Sequence, residues 1–400
     1  MSASTEVELG NIATFVRGIT FKPDDVVPVG APGSVACMRT KNVQAELDLS
    51  DVWGIPEAFV RRDDQYLIPG DMLVSSANSW NLVGKCCWVP SLPWRSTFGG
   101  FISVLRPVPE EIDPRYLFRW FASDRTQATV RSFGQQTTNI SNLNVGRCLK
   151  LKLPLPPLPE QRRIAEILDK VDTLRAKRRA ALAQLDTLNQ SIFLDMFGDP
   201  ATNPRGFPKK QLAELVRADD TINYGVVQPG DDLDEGVPLV RVGDLMEGTV
   251  RHSKLKRIAP SIEAPYRRSR LRGDEILVSC VGSIGVVALA NESVKGFNIA
   301  RAVARIPLAE TTNRIFVASY LCTDFVQRYF TSELRTVSQP TLNIKQLSET
   351  TVALPPISLQ RDFARRATAV ETLKTAHSSS LAELDAFFTT LQHRAFRGEL

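Results

Sequence analysis

Eight cations fall within 22 residues of the second half of the chain: Arg251, Lys254, Lys256, Arg257, Arg267, Arg268, Arg270 and Arg272, with only Glu263 opposing them. Cations this dense neutralise phosphates, so the chemistry on offer is binding of a polyanion; a solvated surface face is the other reading of the same run. The first half carries a sparser set, Arg39, Lys41, Arg61, Arg62 and Lys85. Near Lys85 lies Ser75-Ser76-Ala77-Asn78-Ser79-Trp80-Asn81, a small polar loop of the kind that approaches base edges, or an ordinary surface loop. The candidate contacts are therefore Arg39, Lys41, Ser76, Asn78, Ser79, Trp80 and Lys85 in the first half. In the second half they are Arg241, Lys254, Lys256, Arg267, Arg268, Arg270 and Ser283.

Residue patterns for bond-making chemistry are missing. Gly84-Lys85 lacks the earlier glycine and the following hydroxyl of a phosphate-binding loop, and there is no G-x-G-x-x-G. The Asn-Pro-Pro-aromatic motif of amino-methyltransferases is absent as well. Three histidines (His252, His377 and His393) have no ligand spacing to one another or to a cysteine, so no metal is expected. Asp24-Asp25, Asp219-Asp220 and Asp231-Asp232 read as solvated turn residues rather than a nuclease centre. The expectation is a chain that binds and does not catalyse.

The element that must position these groups is Leu153 to Phe197, LPLPPLPEQRRIAEILDKVDTLRAKRRAALAQLDTLNQSIFLDMF. Its prolines cannot be helical, because each lacks an N–H and pushes its predecessor toward extended geometry. Beyond Pro159 no Pro or Gly occurs until Gly198, which ends the helix with Pro200 just after it. Ile164, Ile167, Val171, Leu174, Leu185, Leu188 and Ile192 alternate by threes and fours, as in a coiled-coil seam that breaks at Arg178 and Ala181.

The chain does this twice. Leu155-Pro-Pro-Leu-Pro-Glu-Gln-Arg162 returns as Leu354-Pro-Pro-Ile-Ser-Leu-Gln-Arg361, 199 residues on. At that offset the second seam runs through Val370, Leu373, His377, Leu384, Phe387 and Leu391, and the fault is copied at His377 and Ser380. Ser358 is the candidate N-cap of the second helix. Each helix covers about 38 residues and about 57 Å, and its apolar stripe needs a partner. A pseudo-two-fold relation would pair the helices antiparallel, bringing together residues whose numbers sum to about 555. Arg178 would then lie near His377 as a polar layer that fixes register, or snorkel to solvent.

The flanking segments repeat more loosely. Asn11–Val16 and Met72–Ser75 read as strands, and Tyr116–Phe121 as a helix with Asp113 as N-cap. Gly70–Ser75 returns as Gly273–Ser279, the helix as Asn313–Leu321, and Gln136–Ile140 as Gln339–Ile344. The expected organisation is globular units at 1–152 and 200–352, with helices at 153–199 and 353–400. The fold class is α+β: two similar mixed α/β units separated by two long antiparallel coiled-coil helices, pseudo-two-fold symmetric.

Composition agrees. The chain of 400 residues is 43% apolar and 23% charged, with net charge +5, which permits a polyanionic partner without demanding one. The longest apolar run, Ile276 to Ala290, is interrupted by Ser279, Gly282, Ser283 and Gly285 and reads as buried strands around a turn rather than a membrane span. MSASTEVELG has no signal-peptide character, and six cysteines without paired spacing suggest buried thiols in the cytoplasm.

With these features in view, the chain resembles the specificity subunits of type I restriction-modification enzymes. The residues that carry the resemblance are LPLPPLPEQRRIAEILDKVDTL from Leu153, FGDP from Phe197 with Asn203-Pro-Arg-Gly-Phe-Pro208, and the echo LPPISLQRDFA from Leu354. The resemblance implies a non-catalytic reader of double-stranded DNA, each globular unit being a target-recognition domain over one half of a split, asymmetric site. It implies that two methyltransferase subunits dock on the helical regions and carry S-adenosylmethionine. In restriction complexes, translocase–nuclease subunits that use ATP and Mg join them. This chain would bind no cofactor itself. The helices would set the gap between half-sites, since about one turn of B-DNA is 34–36 Å. The competing expectation is a coiled-coil scaffold whose globular units bind proteins.

Overall fold

Two prolines end the strand that leads into each long helix, and a buried glutamine fastens the junction. Strand Lys152–Leu155 gives way to a central helix, Leu158–Phe197, and strand Thr351–Ala353 to a C-terminal helix, Ile357–Ala395. Gln161 Nε2 donates to Pro156 O at 2.8 Å while its Oε1 accepts from the Asp113 backbone N–H at 2.8 Å. Gln360 repeats both bonds, to Pro355 O at 2.7 Å and from Asn313 N–H at 2.9 Å. Asp113 and Asn313 are the N-caps of helices Pro114–Phe121 and Arg314–Leu321, so each long helix is tied to the short helix beside it. The glutamine of the duplicated motif thus has a physical cause. Ser358 is not the N-cap: the helix already begins at Ile357, and Pro356 O accepts the N–H groups of Leu359 and Gln360. Gly198 ends the central helix at φ +77°, its N–H bonded to Leu194 O.

The computed structural model describes residues 5–136, 140–246, 248–332 and 340–400. Residues 137–139 and 339 of the Gln136–Ile140 and Gln339–Ile344 repeat lie outside them. The chain divides into a first unit, Met1–Arg179 with Ser379–Leu400, and a second, Ala180–Ser378. The division falls within the long helices, so each unit holds half of both.

The first unit is built on a four-stranded antiparallel sheet ordered Ala13–Arg17, Ile102–Pro107, Met72–Ser75, Cys86–Trp88. A mixed three-stranded sheet orders Trp53–Pro56, Ser34–Met38, Ser96–Phe98. The expected strand Asn11–Val16 is split: Leu9–Ile12 forms a helical turn that buries Leu9 and Ile12, and the strand starts at Ala13. Both sheets recur in the second unit. The four strands are Asn223–Tyr224, Val303–Ile306, Ile276–Ser279 and Val287–Leu289, and the three are Lys256–Ile258, Val237–Val240 and Asn298–Ile299. The Ile276–Ala290 run is therefore two buried strands about a turn, with Gly282 and Gly285 at positive φ. Both units are mixed α/β with one shared order of elements.

Within each unit the two helix halves pack antiparallel. In the first, Ile164, Leu168 and Val171 share a core with Phe388, Leu391 and Ala395. In the second, Phe193 and Phe197 share one with Phe363 and Ala367, the Phe197 and Phe363 ring centroids lying 5.6 Å apart. The seam differs from the expected one. Ile164, Val171, Arg178, Leu185, Ile192, Val370, His377, Leu384 and Leu391 do face inward. Leu174 (52% exposed), Leu188 (38%), Leu373 (50%) and Phe387 (52%) do not, and Ile167 packs only at the edge of the first core. Their places are taken by Leu168, Arg175, Leu182 and Asn189 on one helix and by Ala367, Lys374, Leu381 and Phe388 on the other. An apolar-first reading chose the wrong member of each adjacent pair, because the seam admits polar side chains that have partners. Arg175 pairs with Asp385 at 2.6 Å and stacks on Phe388; Lys374 pairs with Asp186 at 2.9 Å, and Asn189 donates to Glu371 at 2.7 Å. Each of these three ion or hydrogen-bonded pairs has numbers that sum to 560, five beyond the register expected from apolar matching.

Candidate nucleic-acid interface

The strand Met72–Ser75 runs from a buried core into a polar cleft in the first unit. Ser75, Asn78 and Lys85 line one side, Thr40, Lys41 and Gln44 the other, enclosing about 270 Å³. Three candidate residues, Lys41, Asn78 and Lys85, are thus brought together by the fold. Asn78 Nδ2 donates to Ser75 Oγ at 3.2 Å, and its Oδ1 accepts from the Ser79 backbone. Lys85 Nζ donates to Gln44 Oε1 at 2.6 Å, bridging the cleft. Ser76 is half-buried, whereas Ser79 and Trp80 are exposed on the rim. Lys41 pairs with Asp51 at 2.6 Å, yet its side chain stays mostly exposed. Lys41 first, and Arg39 with it, hold the Asp51 carboxyl below its ordinary range by hydrogen bonding.

Arg39 is different. Its guanidinium lies over the Trp53 ring at 3.6 Å, donates to Asp51 O and pairs with Asp51 Oδ1 at 3.0 Å. It is held inside the unit. Arg241, its counterpart, is similarly engaged with Asp244, the residue that closes the turn after it.

The basic run of the second unit separates into committed and available cations. Arg270 grips Glu263 through two bonds of 2.9 and 2.6 Å and lowers that carboxyl's pKa. Arg272 reaches Asp219 and Asp220 at 3.9 and 3.6 Å, and Arg257 donates to Gly236 O. Lys256 donates to Gly230 O. Counting along the sequence found only Glu263 in opposition, because the other acids arrive from elsewhere in the fold. Lys254, Arg267 and Arg268 are exposed and make no ion pair with a described residue. Ser283 is exposed on the turn between strands Ile276–Ser279 and Val287–Leu289.

Two residues escaped the sequence reading. Phe101 O accepts the backbone N–H groups of Ser76 and Ala77 at 2.9 and 3.2 Å, which sets this exposed side chain beside the cleft loop. Ala302 O accepts from Cys280 at 2.8 Å in the same way, so exposed Arg301 stands where the first unit has Gly100. Gly99-Gly100 before Phe101 was the available signal, a tight turn that holds an aromatic out.

The thiols offer no nucleophile at the cleft: burial pushes Cys37, Cys87, Cys148 and Cys280 up to about 12, and Cys86 higher still. Cys322, expected to be buried, is exposed where its helix ends. Among the described residues no group of three or more His, Cys, Asp or Glu could hold a metal ion. Among the described residues no helix is long and apolar enough to cross a membrane.

A mixed α/β unit present twice, each copy with polar and basic residues exposed and each followed by a long helix, defines a class of duplicated α/β proteins. The family model for the type I restriction modification DNA specificity domain matches residues 4–184 and again 210–384, and the chain belongs to that family. The EcoBI specificity subunit of Escherichia coli is 32% identical over 278 residues, which span 62% of this chain but only 58% of that relative. The EcoKI specificity subunit of E. coli strain K12 is 22% identical over 98% of this chain and 88% of its own length. The fold is similar to the crystal structure of a type I S subunit from M. genitalium (TM-score 0.62, 15% identity, 98% of this chain and 96% of that one). It is likewise similar to a chain from a type I restriction-modification assembly (TM-score 0.61, 18% identity, covering 100% and 99%).

Proposed function

We propose that this chain reads a bipartite, asymmetric site on double-stranded DNA, one half per unit, and recruits methyltransferase subunits that do the chemistry. The observation that carries the reading is one scaffold used twice with unlike faces. The first unit offers a cleft with Lys41, Asn78 and Lys85, and the second offers Lys254, Arg267, Arg268 and Arg301. Identical faces would read a palindrome; these would not. The chain itself catalyses nothing in this reading and acts in the cytoplasm. S-adenosylmethionine, and ATP with Mg where restriction subunits join, belong to its partners. Recruitment is supported by the outward apolar residues of the helices. Leu174 and Phe387 of the first unit, and Leu188 and Leu373 of the second, are related by the same 199-residue offset and suit two copies of one partner.

The test maps methylated adenines in cells that carry the methyltransferase with this chain, and with a chain whose residues 200–352 come from another such subunit. One half-site should change and the other persist. In vitro, log affinity should fall linearly and steeply with log salt; a protein-binding scaffold would bind little DNA at any salt. Four residues added after both Arg179 and Ser378 should lengthen each helix by about 6 Å and widen the preferred gap by one or two base pairs.

A further inference from the structure

Phe101 is the most exposed large apolar side chain among the described residues, at 63%. It is third in a turn closed by Ile102 N–H donating to Gly99 O at 2.9 Å. That turn is anchored on one side by Gly99 N–H to Met38 O, and on the other by the two bonds from Ser76 and Ala77 to Phe101 O. The backbone of Phe101 is therefore held in place at the end of the loop pairing. Trp80, 54% exposed, rides a second turn in which Ser79 O accepts the N–H groups of Leu82 and Val83. Both turns adjoin the segment that lines the cleft: Trp80 lies between Asn78 and Leu82, and Phe101 O is bonded to Ser76 and Ala77, which lie between Ser75 and Asn78. Turn positions of this kind ordinarily take Gly, Asn, Asp or Ser. A lone exposed apolar residue needs no explanation, but here two aromatics flank one polar cleft. The second unit keeps the first of these turns, with Val303 N–H donating to Ala300 O, and carries Arg301 and Ala302 on it.

Resting on the reading of the first unit as a DNA reader, we propose that Phe101 and Trp80 pack against thymine C5-methyl groups in the major groove. Apart from the small C5–H of cytosine, the other groups a base pair presents there are hydrogen-bond donors or acceptors, and the thymine methyl is the one sizeable apolar group. Asn78 and Lys85 supply polar contacts beside it. The first half-site therefore contains at least one specified A·T pair whose methyl is read, and the second unit's half-site owes nothing to Phe101.

The experiment uses the full chain with its methyltransferase. The probes are a duplex bearing the site mapped by methylation and the same duplex with deoxyuridine for thymine in one half or the other. Deoxyuridine in the first half should weaken binding about tenfold. Phe101→Ser should lose part or all of that affinity on unmodified DNA, and the two together should cost no more than deoxyuridine alone. Phe101→Leu should retain most of the affinity. The salt slope should be unchanged by Phe101→Ser and reduced by about one in Lys85→Ala. Thermal unfolding of the first unit that matches the wild type shows that the serine variant is folded. A first half-site without a specified A·T pair, a Phe101→Ser variant of full affinity, or losses that simply add would each overturn the proposal. Kinked DNA without sensitivity to the methyl would do so too, since it marks a wedge between bases. A wild-type complex that binds no duplex at low salt refutes the DNA reading itself, a separate outcome.

Discussion

The two units share what holds them together and differ in what they show to solvent. Both join strand to helix through a buried glutamine, both cap the short helix beside that junction with an Asx side chain, and both bring two backbones into near contact at a glycine. A Cβ on Gly18 would lie 2.3 Å from Gly99 O, and one on Gly225 would lie 1.6 Å from Ile299 O. At the face the units part company. The loop from Ser75 to Gly84 is three residues longer than its counterpart from Ser279 to Gly285, and it begins beside an exposed aromatic rather than a cation. Duplication has kept the groups that hold each unit together and released those on its exposed face.

The comparison extends to buried charge, where the largest effects are expected. The acid that precedes the central strand is Asp71 in one unit and Glu275 in the other, both with wholly buried side chains. Arg106 pairs with Asp71 through two bonds of 2.7 and 2.6 Å. Arg305 is itself buried and joins Glu275 at 3.0 Å and Asp220. Arg305→Met strands two acids and should cost about 3–5 kcal/mol, read as urea unfolding of the second unit. Arg106→Met strands one, beside a partly exposed arginine, and should cost less. Equal losses would mean that the extra acid adds nothing.

Next come the glutamines. Gln161→Leu and Gln360→Leu each leave a buried proline carbonyl and a cap N–H without a partner, which should cost about 1–3 kcal/mol apiece. The two values should agree within error, because the bonds are the same. A large disparity in thermal unfolding would show that the junctions are not equivalent.

The smallest effect is in pH dependence. Arg270 and Asn298 hold Glu263 below its ordinary value of 4.5, so the pair stabilises the second unit above that pH. This contribution is lost as pH falls through the depressed value. Arg270→Gln should remove about 0.5–1 kcal/mol at neutral pH and shift the onset of acid unfolding of the second unit upward. In the first unit the turn after the corresponding strand carries Glu57 paired with Arg95, which this change does not touch, so its acid transition should not move.

Much of the scaffold was legible because it rests on local rules. The proline stop, the Gly198 terminus, the Asp113 cap and the 199-residue echo need only backbone chemistry and periodicity. The seam was half legible. Val171, Leu185 and Val370 face inward as read, but Arg175, Asn189 and Lys374 took places that Leu174, Leu188 and Leu373 had been assigned. A polar residue enters a seam when its partner comes from the other helix, and no spacing within one helix reveals that partner. The basic run failed for a related reason, since Asp219, Asp220 and the carbonyls of Gly230 and Gly236 reach it from distant segments.

The sequence by itself determined that a strand–helix unit is present twice, where the first long helix stops, and that one copy is richer in cations than the other. Tertiary structure decided which cations remain available, which apolar helix residues face out, and that Phe101 stands at the edge of the cleft. The first set depends on dihedral preferences and repeats within the chain. The second depends on which remote groups come within hydrogen-bonding distance once the core has closed.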